Sequence, residues 1–111
     1  MPHIVVEISE DLQPKLYNKK FIEELHQIGL DTQVFKEEAI KVKILPVGQY
    51  LCGGKKEPFV HIDIYLFAGR PKELQKSIST QFLDFLITEL PDITHLSVDL
   101  RERNPDIYQK R

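Results

Sequence analysis

Cysteine is nearly absent from this chain: one residue, Cys52, among 111. A single thiol excludes an internal disulfide and leaves no cysteine cluster for a metal. The four histidines, His3, His26, His61 and His95, have no i, i+4 ligand spacing, so a metal site is not expected. A charge excess is also missing. Fifteen Lys and Arg stand against seventeen Asp and Glu, a formal net charge of -2. That balance gives no bulk attraction to nucleic acid or to an anionic membrane. No apolar run approaches the roughly 20 residues of a spanning helix, and the opening residues lack a signal-peptide pattern. What is present is ordinary for a soluble protein: 41% apolar and 29% charged residues. The expectation is one cytoplasmic domain, residues 1–111, around one modest core.

The elements follow from periodicity. Pro2 to Ile8 is rich in β-branched residues and reads as a strand, broken by Ser9, Glu10 and Asp11. Lys15 to Gly29 has helical spacing, with Phe21, Leu25 and Ile28 on one face and Gly29 as its stop. Ala39 to Pro46 alternates Ile40, Val42 and Ile44 with Lys41 and Lys43, the pattern of a half-buried strand. Pro46 to Pro58, with Gly48, Gly53 and Gly54, reads as turn and loop with room for a short hairpin piece. Phe59 to Phe67 is a strand whose Val60, Ile62, Ile64 and Leu66 face is purely aliphatic. Pro71 to Leu90 is a helix with a stripe of Leu74, Ile78, Phe82, Phe85, Leu86 and Leu90. His95 to Leu100 alternates again, and Arg101 to Arg111 reads as a polar tail.

This order is a βαβ unit written twice, over about residues 2–46 and 59–103. The fold class is therefore α+β, a four-stranded sheet with two helices on one face. Helical crossovers make each strand pair parallel. The sheet's other face carries Phe59, His61, Tyr65 and Phe67 and needs cover, for which another subunit is the natural source in so short a chain.

The second residue is the most telling for chemistry. Inside a peptide bond a proline nitrogen is neither basic nor a donor. Once Met1 is removed, Pro2 is a secondary amine held in place by strand pairing, and such an amine can move protons. Burial and nearby cations would lower its pKa toward working pH. Lys41, Lys43 or Arg70 would supply the cation.

The Pro2 start and doubled βαβ order resemble the tautomerase superfamily. The nearest likeness is to the 5-carboxymethyl-2-hydroxymuconate Δ-isomerase family. It is carried by Met1-Pro2-His3 with Val6-Glu7, by Ile40-Lys41-Val42-Lys43, by Phe59-Val60-His61, by Ala68-Gly69-Arg70 and by Asn104-Pro105. The resemblance implies a trimer with sheets packed around a centre and a site at the subunit boundary. It implies a keto–enol or double-bond shift in a small unsaturated 2-hydroxy or 2-keto acid, with no metal or cofactor. Pro2 would be the general base and acid. Arg70, Lys41 and Lys43 would bind carboxylate, and Tyr50 would wall the site. Lys41 and Lys43 stand where the family has arginines, keeping the charge but not the bidentate fork.

Each residue also has a plainer reading. Pro2 would only start a strand if Met1 stays. Arg70 would be a solvated turn residue, and Lys41 and Lys43 the wet face of any strand. His61 would be a packed or interface histidine, and Cys52 an inert loop thiol. The competing function is a non-catalytic oligomeric interaction protein on the same scaffold.

Overall fold

Strands form where the sequence alternates, and the sheet grows outward from two central strands. In the computed structural model, which describes residues 1–111, the strands are β1 (His3–Ser9), β2 (Lys41–Val47), β3 (Phe59–Phe67) and β4 (His95–Arg103). The helices are α1 (Gln13–Leu16), α2 (Lys19–Asp31) and α3 (Lys72–Glu89). The order across the sheet is β2-β1-β3-β4. Each βαβ half forms a parallel pair, β1 with β2 and β3 with β4, and the halves join antiparallel through β1 and β3.

Alternation places one side of each strand under the helices. Ile4, Val6 and Ile8 of β1 and Val60, Ile62, Ile64 and Leu66 of β3 are wholly inaccessible. All of these but Leu66 form one core cluster with Phe21 and Leu25 of α2 and Ile78, Phe82 and Leu86 of α3. Burying such side chains contributes about 1.5–3 kcal/mol each, so this layer dominates the stability. The sheet's other face is only half covered.

Four local readings are corrected. The first helix is two: a one-turn α1, then α2, which starts at Asn18, whose Oδ1 accepts from Phe21 N at 2.8 Å. Asn18 is a strong helix-starting residue, and it breaks the single helix of Lys15–Gly29. Gly29 does not stop α2. It is buried inside the last turn of α2, where an added Cβ would lie 3.4 Å from Ile4 and Ile40 methyls. The chain turns instead at Gln33, φ +60°. Finally, β4 runs to Arg103, and the tail folds back onto the sheet, as described below. The glycine loop does contain a hairpin: Cys52 N donates to Lys55 O at 2.7 Å around Gly53 and Gly54, both at positive φ, as a type I′ turn requires.

Candidate active site

Register brings the chain's start beside its cationic residues. His3 pairs with Lys41 on one side and Tyr65 on the other. Lys41 N donates to the Pro2 carbonyl at 3.1 Å, so the backbone is hydrogen-bonded on both sides of the Pro2–His3 bond's strand. Pro2 itself is buried. Any nitrogen freed here is therefore fixed in place by the sheet.

The surroundings are positive. The Met1 amine is held below its ordinary 8.0, first by burial and then by the charges of Lys41, Lys110 and Arg70. The His3 ring is held below 6.5 by burial, then by Lys43, Lys41 and the terminal amine. Both effects act on the same principle: a partly desolvated cation among cations is disfavoured. An open cleft of about 250 Å³ adjoins, lined by Met1, His3, Val5, Lys43, Tyr65, Arg103 and Tyr108. Val5 and Tyr65 are among its apolar lining. The Arg103 guanidinium lies 4.5 Å over the Tyr65 ring, which presents a fork-shaped donor at the rim.

The structure brings Pro2, Lys41, Lys43 and Arg70 to one end of the sheet and leaves Tyr50 at the other. Arg70 follows Gly69, whose φ of +114° only glycine tolerates well. Its guanidinium donates to Phe67 O at 3.3 Å and lies 5.5 Å over the Phe35 ring. Lys41 Nζ donates to Ala39 O at 3.0 Å, leaving two further donor hydrogens. Tyr50 donates to Asp11 Oδ1 at 2.8 Å and packs edge-on against Phe59. The seven residues of β1, roughly 23 Å, separate it from Pro2 within one chain.

Sequence reasoning missed the C-terminal contribution. After β4, Asn104 O accepts from Ile107 N and Tyr108 N, and Asn104 Oδ1 accepts from Asp106 N at 2.9 Å. That turn swings Tyr108 back to His3 Nε2, 2.9 Å away, and onto the Phe67 ring. The available signal was Asn104-Pro105-Asp106, a turn-forming run. No group of three His, Cys, Asp or Glu side chains in the structure is arranged to hold a metal. No helix is long and apolar enough to cross a membrane.

Comparison with known proteins bears on the fold and the family. No curated protein sequence matches the chain. Among solved structures, a 5-carboxymethyl-2-hydroxymuconate isomerase from Deinococcus radiodurans R1 superposes with a TM-score of 0.77 at 21% identity, over 99% of this chain and 88% of that one. The macrophage migration inhibitory factor of Trichinella spiralis gives 0.79 at 14%, over 97% and 95%. A fused 4-OT described as a symmetric trimer gives 0.73 at 15%, over 94% and 88%. These likenesses establish a tautomerase-like fold. The sequence model of 5-carboxymethyl-2-hydroxymuconate isomerase matches residues 2–111, nearly the whole chain, and the protein therefore belongs to that isomerase family.

Proposed function

We propose that the protein is a cofactor-independent, cytoplasmic tautomerase that uses the free amine of Pro2 on a small unsaturated 2-hydroxy or 2-keto acid. The substrate class is that of 5-carboxymethyl-2-hydroxymuconate. The observation that carries the reading is the buried chain start surrounded by Lys41, Lys110 and Arg70. With Met1 gone, the neutral proline nitrogen takes the proton of the 2-hydroxyl group. Electrons move through the conjugated system to a distant carbon, and the same nitrogen returns the proton there. No atom is gained or lost.

Arg70, Lys41 and Lys43 hold the carboxylates and the transient dienolate, whose negative charge grows as the proton leaves. The lysines supply charge without the directional fork, so carboxylate orientation falls mainly to arginine. Removing Met1 also opens the cleft it lines. The family and the trimeric relative support a homotrimer with a site at the subunit boundary. In that arrangement Tyr50 walls the site of a neighbouring subunit, which is compatible with its distance from Pro2 in one chain.

The test is ultraviolet ketonisation of 2-hydroxymuconate or phenylenolpyruvate by protein shown by mass to lack Met1. Pro2→Ala should lower the rate about 100-fold or more, the scale of a lost general base, with circular dichroism unchanged. An undiminished rate would overturn the role of Pro2. A non-catalytic oligomeric protein is the second reading, favoured by Lys41 Nζ being engaged with Ala39 O. It requires no ketonisation above buffer and an assembly indifferent to retained Met1.

A further inference from the structure

The C-terminal segment is exposed throughout except at one side chain, Tyr108. That residue makes two kinds of contact with the chain's start. Its hydroxyl lies 2.9 Å from His3 Nε2, and its ring meets Phe67 and His3 edge-on at 5.4 and 6.0 Å. His3 directly follows Pro2, and Tyr108 and Met1 line the same cleft. The turn at Asn104, built from three hydrogen bonds, sets the length of chain that reaches back. With the His3 ring neutral and Nδ1 protonated, Nε2 accepts from the Tyr108 hydroxyl.

From this geometry we infer that Tyr108 is a positioning residue: through His3 it seats the C-terminal segment over the chain's start and keeps water from the Pro2 nitrogen. The inference rests on the proposed role of Pro2. It separates two effects of one side chain. The ring lines the cleft beside the chain's start and reduces the access of water on that side, which favours a neutral amine. The hydroxyl fastens the ring to His3 and so fixes how the segment is seated. The charged groups facing the Met1 amine, one residue before Pro2, are Lys41 from β2, Arg70 from the turn after β3 and Lys110 from the segment itself, and Arg103 of β4 lines the same cleft. His3 faces Lys41 and Lys43 from β2. Lys110 is carried by the same segment, so loosening that segment weakens both the cover and one cation. Both changes move the amine in the same direction, toward its ordinary, more basic value.

The experiment titrates the Pro2 nitrogen directly, by NMR of Met1-free protein labelled with 15N-proline, in wild type, Tyr108→Phe and Tyr108→Ala. Ketonisation is measured beside it across pH. Tyr108→Ala should raise the amine pKa by about half a unit or more and shift the acid limb of kcat/KM upward with it. Tyr108→Phe keeps the ring but loses its fastening to His3, so the pKa should rise by less than in Tyr108→Ala while kcat/KM falls about threefold to tenfold, the range for one lost hydrogen bond. An amine pKa in folded Tyr108→Ala equal to that of wild type overturns the inference. So does equal, measurable ketonisation by all three proteins at every pH. The NMR titration needs no substrate. It therefore still decides the role of Tyr108 if ketonisation is absent and the tautomerase reading fails.

Discussion

The hydrogen bond between Tyr50 and Asp11 moves the two groups in opposite directions. Asp11 lies below its ordinary 3.8, through bonds from Ser9 and Tyr50, while the Tyr50 phenol lies above its ordinary 10.0 because Asp11 accepts its proton. A depressed carboxylate contributes stability above its unfolded pKa and loses it as pH falls through the folded value. Tyr50→Phe should therefore lower stability at neutral pH, with the difference vanishing in acid, read from urea midpoints. His3 has the same sign for a different reason. Its folded pKa lies below 6.5, chiefly from burial. As pH falls through 6.5 the unfolded chain protonates first and stability declines, until the folded ring also takes a proton. In His3→Gln that part of the decline should be absent. Urea unfolding between about pH 7.5 and 5 would show it, and an unchanged slope would mean that His3 is not the group responsible.

At the level of elements, Gly29 separates two readings of the same residue. At a helix stop, with positive φ, alanine would be strained. Within the last turn of α2, where an added Cβ stands at ordinary contact distance of 3.4 Å, alanine relieves a poor helix former. Gly29→Ala should accordingly raise stability by up to about 1 kcal/mol, seen as a higher Tm. The case shows what was legible and what was not. The span of β3 was plain because nine residues alternate without interruption, and α3 because its apolar stripe recurs over 18 residues. Gly29 and Gln33 were not, because the role of a glycine depends on what packs beside it, and Ile4 and Ile40 are distant in sequence. The cations at the site divided in the same way. Lys41, Lys43 and Arg70 sit in or beside periodic elements, so their place followed from register. Arg103 is placed by β4, whose last residues looked like a polar tail, while Tyr108 lies in a short polar segment without periodicity and only the turn at Asn104 brings it to the cleft.

For the whole molecule, the contrast between the two sheet faces matters most. The helix side is sealed, and Phe82→Ala there should cost about 3–5 kcal/mol, because the cavity cannot close by moving a single loop. The other side ends in an exposed edge at β2, where Leu45 is 45% exposed and shares its face with Lys41 and Lys43. A large apolar residue on an edge strand favours contact with another chain. Leu45→Glu should then leave the fold of one chain intact, since little is buried there, while weakening assembly. Light scattering would fall toward the 13.0 kDa of a single chain, with unchanged circular dichroism. If the site lies at the subunit boundary, ketonisation should fall in the same variant and recover as protein concentration rises. A variant that dissociates yet keeps full activity would place the whole site within one chain and remove Tyr50 from it. One that stays assembled would move the contact away from β2 and toward the half-covered strands at the centre of the sheet.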